Sequence, residues 1–133
     1  MIKRHFVSKA PPPPNGVKYA HASEAAGWLY VTGQLPTDPA APASALPEGI
    51  EAQTEQTFRN LVTIVEAAGY TLRDTVFVRL YLSDFDRDYD GLNRVYYRFF
   101  TEDEAVPSRT TVGVAKLGRN ALVEIDLVLH KAA

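Results

Sequence analysis

The chain has 133 residues, of which 46% are hydrophobic and 23% charged, with a formal net charge of −2, three histidines and no cysteine. This balance fits a single domain spanning 1–133 and excludes a mostly disordered chain, a disulfide framework, thiolate metal sites and a cysteine nucleophile. The weak negative charge disfavours binding driven by nucleic-acid phosphates, and no apolar run approaches the roughly 20 residues of a membrane span.

The start, Met1-Ile2-Lys3-Arg4-His5-Phe6, has no apolar core after its basic pair. It does not read as a signal peptide, so a cytoplasmic address is expected. Pro11-Pro12-Pro13-Pro14-Asn15-Gly16 is a stiff extended run ending in a turn signal. Residues 17–23 and 27–33 predict a hairpin joined at a glycine turn. Residues 36–49, rich in Pro and Ala, predict a surface loop. Over 51–68, Phe58, Leu61, Val62, Val65 and Ala68 recur at three- and four-residue steps, which predicts a helix stopped by Gly69. Residues 75–82 are β-branched and aromatic, a strand. Residues 86–100 predict a second helix with Tyr89, Leu92, Val95, Tyr96 and Phe99 as its apolar stripe. Strands over 109–115 and 121–130 follow, joined around Gly118-Arg119-Asn120.

The expected architecture is α+β: a mixed sheet of about six strands with two helices on one face. The strands carry more apolar side chains than that arrangement covers. In 75–82, Val76, Val78, Leu80 and Leu82 form one alternating set, yet Phe77 and Tyr81 flank Arg79 on the other. In the last strand, Leu122 and Val128 share a face with Glu124 and Asp126. The helices cover one face, so the second face is expected to be covered by further copies of the same chain.

The search for chemistry starts by elimination. His5, His21 and His130 have no close ligand spacing, so no metal site is expected. No phosphate loop, dinucleotide fingerprint or nucleophile elbow is present. What remains are polar residues beside strands. Arg109, where a strand opens, can present a planar fork to a carboxylate, although read alone it fits a surface ion pair better. Glu124 lies in an apolar run, where a carboxylate must be paired, hydrated or at an interface; a solvent-facing strand position is an equal reading. Thr32 and Gly33 end a strand, Tyr19 reads as a packing aromatic, and Asn93 as an exposed helix residue.

Taken together, six stretches resemble one family. These are Gly16-Val17-Lys18-Tyr19-Ala20-His21-Ala22, Val31-Thr32-Gly33-Gln34, Glu55-Gln56-Thr57 with Asn60-Leu61, the run from Leu92-Asn93 to Phe99-Phe100, Pro107-Ser108-Arg109-Thr110-Thr111-Val112, and Val123-Glu124-Ile125-Asp126. In that order they resemble the Rid family, also called YjgF-like, over residues 14–130. The resemblance implies a YjgF-like (chorismate-mutase-like) fold in a homotrimer with a central barrel-like core and sites in clefts between subunits. It implies hydrolysis of 2-imino acids or their enamine tautomers, such as 2-iminobutanoate and 2-iminopropanoate/2-aminoacrylate, to 2-keto acids and ammonia. These substrates arise from pyridoxal-phosphate enzymes.

By the same resemblance, Arg109 clamps the substrate carboxylate and Glu124 holds or activates the attacking water. The Thr111 backbone contacts the substrate, so its side chain matters less. Thr32 offers a hydroxyl beside Gly33, Tyr19 lines the pocket, and Asn93 is a hydrogen-bonding residue near the cleft. No cofactor or metal is implied. Departures from the family pattern are Val17-Lys18 in place of a single Pro, His21 where Gln is common, Thr111 for a frequent Cys, and the long loop over 36–49. Two other readings are a non-catalytic trimer that uses Arg109 to bind a keto acid and, less favoured given the acidic charge, a ribonuclease or translation inhibitor.

Overall fold

The computed structural model describes residues 1–132. Six strands form one sheet in the order β1-β2-β3-β6-β4-β5. They are β1 (Lys3–His5), β2 (Ala22–Ala25), β3 (Trp28–Gln34), β4 (Thr75–Leu82), β5 (Ser108–Gly113) and β6 (Val123–His130), with helices α1 (Ile50–Ala67) and α2 (Phe85–Phe99). Every neighbouring pair is antiparallel except β4 and β5, which α2 connects in parallel. The expected α+β sheet with two helices is therefore the fold. Among the described residues, no helix is long and apolar enough to cross a membrane.

Local chemistry explains the element ends. Gly69, at φ 87°, closes α1 with Tyr70 N donating to Val65 O (3.0 Å) and Gly69 N to Glu66 O (3.0 Å). The Asp84 side chain caps α2 by accepting from Arg87 N at 3.3 Å. Ala26 (φ 52°) and Gly27 (φ 85°) form a two-residue turn of the type I′ hand, which pairs Ala25 with Trp28. That register puts the first hairpin arm at Ala22–Ala25 rather than over 17–23. β5 ends at Gly113, short of the expected 115, because its partner β4 ends at Leu82. β6 begins at Val123 rather than 121 because Gly118–Asn120 is a helical turn.

The helix-facing side of the sheet is the core. Leu29 and Val31 of β3, Val78, Leu80 and Leu82 of β4, and Val123, Ile125, Leu127 and Leu129 of β6 are all buried. They meet Phe58, Leu61, Ile64 and Val65 of α1 and Leu92, Val95 and Tyr96 of α2. Each such aliphatic side chain contributes about 1.5–3 kcal/mol by leaving water. The helices cross closely: a Cβ at Gly91 would lie 2.4 Å from Ile50 Cγ2.

One expected core position is displaced. The β4–β6 register slips between Thr75, opposite Leu129, and Phe77, opposite Val128. Val76 is the extra residue of this bulge and is 40% exposed, while Thr75 is buried instead.

Among the described residues, no helix lies on the other face. Tyr30 is 57% and Val112 39% exposed there, beside half-buried Phe77, Tyr81 and Val128. Arg79 Nε donates to Asp126 Oδ1 at 2.8 Å across the strands, and Tyr81 OH donates to Asp126 Oδ2 at 3.2 Å.

Candidate active site

Strand register distributes the candidate residues over both sides of the sheet. The parallel β4–β5 ladder sets Arg109 beside Val78 and Thr111 beside Leu80. Both therefore rise on the helix side. The antiparallel β4–β6 ladder sets Glu124 beside Tyr81, on the open side. One chain thus brings Arg109, Thr111 and Asn93 together, gathers Glu124, Gly33, Thr32 and Tyr19 elsewhere, and does not unite the two sets.

The arginine half is held from three directions. Arg109 Nη2 donates to Asn93 Oδ1 at 2.6 Å and Nε donates to Thr111 Oγ1 at 2.9 Å. The guanidinium carbon lies 4.5 Å from the centroid of the Tyr96 ring and 5.7 Å from that of Tyr89. A cation over an aromatic face gains about 0.5–2 kcal/mol, and the contact restrains the fork. Asn93 and Thr111 take two of five N–H donors and leave the rest. Among the described residues, Arg109 has no carboxylate partner, unlike the ion-paired surface arginines. The Thr111 side chain, expected to matter little, holds Nε in place.

The glutamate half is built on a bulge. The β3–β6 register slips between Val31, opposite Leu127, and Gln34, opposite Ile125, so Thr32 and Gly33 together face one residue. Gly33 makes room for the carboxylate: a Cβ there would lie 2.5 Å from Glu124 Oε2. Among the described residues Glu124 makes no hydrogen bond. Its pKa is pushed above the ordinary carboxylate range, first by partial burial and then by the Asp126 charge. Tyr19, 39% exposed, has its phenol pKa raised by partial burial and then by the Glu124 charge. The Thr32 hydroxyl, expected to face a ligand, donates to Ala20 O at 2.7 Å and ties the segment carrying Tyr19 to β3.

Tyr19, Thr32, Gly33 and Glu124 line a groove of about 680 Å³, with Pro11 to Pro14 as a further wall. Three of its supports carried no assigned role in the sequence reading. His21 Nδ1 accepts from Val7 N at 3.0 Å and Nε2–H donates to Pro11 O at 2.8 Å, which pins the proline run. Asn60, 1% exposed on α1, donates from Nδ2 to Leu35 O (3.0 Å) and Thr37 O (2.8 Å) and fixes the start of the loop after β3. An asparagine between Phe58 and Leu61 in an apolar stripe is the signal that marked it. Arg119 also lines the groove, from a turn that sequence patterning left as a connection.

The family model described as Endoribonuclease L-PSP matches residues 9–131. A RutC family protein of Pyrococcus horikoshii is 36% identical over 126 residues, 95% of each chain. The Salmonella typhimurium protein named 2-iminobutanoate/2-iminopropanoate deaminase is 34% identical over 111 residues, 83% of this chain and 84% of its own. The crystal structure of RidA from an Antarctic Psychrobacter matches with a TM-score of 0.86 at 35% identity, over 97% of this chain and 99% of that one. With the fold, the sequence and the motif order in agreement over almost its whole length, the chain belongs to the Rid family, the group that also carries the names YjgF and RutC.

Proposed function

We propose that the protein is a cytoplasmic deaminase of reactive 2-imino or 2-enamino acids, working as a homotrimer in which Arg109 of one subunit and Glu124 of the next share a site. The observation that carries this reading is the Arg109 fork, oriented by Asn93, Thr111 and Tyr96 and free of any carboxylate among the described residues. A pre-oriented guanidinium in a cleft suits a carboxylate, the one strong handle that a small imino acid offers. Three copies around a barrel-like core cover Tyr30, Phe77, Tyr81 and Val112, and bring the two halves together.

Glu124 takes a proton from water whose oxygen adds to the imine carbon. Glu124 returns that proton to the nitrogen of the carbinolamine, the C–N bond breaks with release of ammonia, and the hydroxyl gives its proton back to Glu124 as the C=O of the 2-keto acid forms. A carboxylate whose pKa is raised by burial is a stronger base than an ordinary one and takes the proton of the attacking water more readily. The relative named as a 2-iminobutanoate/2-iminopropanoate deaminase supports this substrate class. A non-catalytic keto-acid binder would use Arg109 equally but leave Glu124 without a task. A ribonuclease acid–base pair finds little support from the histidines: His5 is bound to Glu24, His21 to Val7 and Pro11, and His130 packs on Trp28.

The test generates 2-iminobutanoate in situ and follows ammonia and 2-oxobutanoate. The expected result is acceleration over buffer by the wild type and loss of about 10²-fold or more in Arg109→Ala. No acceleration of any of several imines would overturn the deaminase reading in favour of the binder.

A further inference from the structure

Within one chain the groove has room both for a small acid and for side chains that a neighbouring subunit brings to it. At about 680 Å³ it falls within the ~300–1,000 Å³ typical of sites for drug-sized ligands. Its lining carries two charged side chains, Glu124 and Arg119. Arg119 Nη1 donates to Thr37 Oγ1 at 3.1 Å and Nη2 to Ser44 O at 2.7 Å. Both partners are neutral, and among the described residues Arg119 makes no ion pair. Three of its five N–H donors remain for another acceptor.

The support behind this guanidinium is specific. Asn60 of the buried α1 face holds the Thr37 carbonyl, and the Thr37 hydroxyl receives Arg119. The Arg119 backbone lies in the left-handed region at φ 58°, followed by Asn120 at φ 53°. L residues rarely adopt that conformation, and it persists where surrounding contacts demand it. A planar fork fastened by two neutral acceptors, in the same groove as Glu124, suits a second carboxylate.

We infer that Arg119 is a specificity-determining residue that binds an acidic group on the substrate's side chain, so that the preferred substrates are 2-imino acids with a second carboxylate. The inference rests on the deaminase reading for Arg109 and Glu124 and names the substrate class of that site. Arg109 of one subunit takes the 1-carboxylate, Arg119 of the next takes the distal one, and hydrolysis between them leaves the distal acid unchanged.

The experiment compares the imines of glutamate and of 2-aminobutanoate, each generated in situ by an amino-acid oxidase. In the wild type, kcat/KM favours the glutamate imine. In Arg119→Gln that preference falls at least tenfold, chiefly through KM, and Arg119→Lys recovers part of it. An unchanged ratio in Arg119→Gln overturns the inference. Calorimetric titration with 2-oxoglutarate and 2-oxobutanoate gives a readout that needs no turnover: the wild type binds 2-oxoglutarate at least tenfold more tightly, and Arg119→Gln loses the difference. If no imine is accelerated but this preference and its loss are seen, the deaminase reading fails and the distal acid site stands. Equal wild-type affinity for the two keto acids overturns the distal site alone.

Discussion

Arg109 and Glu124 sit in opposite kinds of surroundings. The guanidinium is fastened by an amide, a hydroxyl and an aromatic face on the helix side of the sheet. Among the described residues, the carboxylate has only the clearance over Gly33, a half-exposed Tyr19 nearby and a like charge at Asp126. The contacts that orient the guanidinium all come from one chain. Glu124 is left without a hydrogen-bond partner among the described residues, and partial burial, then the Asp126 charge, raises its proton affinity. A restrained guanidinium and an unpartnered carboxylate require different surroundings, and the two faces of one sheet supply them.

The largest expected effect tests that division directly. Arg109→Ala and Glu124→Ala homo-oligomers are each expected to lose imine hydrolysis. Unfolding them together and refolding an equal mixture recovers about a quarter of wild-type activity, since half the sites draw an intact Arg109 and half of those an intact Glu124. Absence of recovery, with mixed oligomers confirmed by mass, would place both groups in one subunit's site. Next in size, Gly33→Ala drives a methyl into the Glu124 carboxylate and is expected to cost ~10²-fold in kcat/KM while leaving carboxylate binding at Arg109 intact. A variant that loses both would make Gly33 a folding residue instead.

A smaller effect separates the halves by pH. The folded-state pKa of Glu124 is raised, so its ionisation opposes folding, and the cost is full above the folded value. Glu124→Gln is therefore expected to raise the Tm at pH 7. The gain disappears as pH falls below the unfolded carboxylate value, where both states hold the proton. A gain that persists at pH 3 would trace to packing rather than charge. The smallest effect lies away from the site: Ala26→Asn, at a left-handed turn position, is expected to add about 0.5–1 kcal/mol, read by denaturant unfolding.

Periodicity carried most of the fold. The alternation over 121–130 and the helical spacing around Phe58 and Leu92 are dominated by burial, which leaves a regular trace in sequence. The failures are places where one residue breaks the period. Val76 reads as core and is extruded by a bulge, and β1 is three polar-leaning residues at a sheet edge. Arg109 and Glu124 were legible as residue types through the family motifs. Their separation onto two faces was not, because it follows from the parallel register of β4 and β5, a pairing across α2 that no local pattern encodes. Arg119 escaped notice because turn residues carry no period at all.

By the family resemblance His21 stands where glutamine is expected, and its two ring nitrogens serve as one acceptor and one donor. A carboxamide offers the same pair, an oxygen for the Val7 amide and an NH₂ for the Pro11 carbonyl. Either side chain therefore makes the same two fastenings, so the hold on the proline run depends on one donor and one acceptor at this joint and not on the shape that carries them.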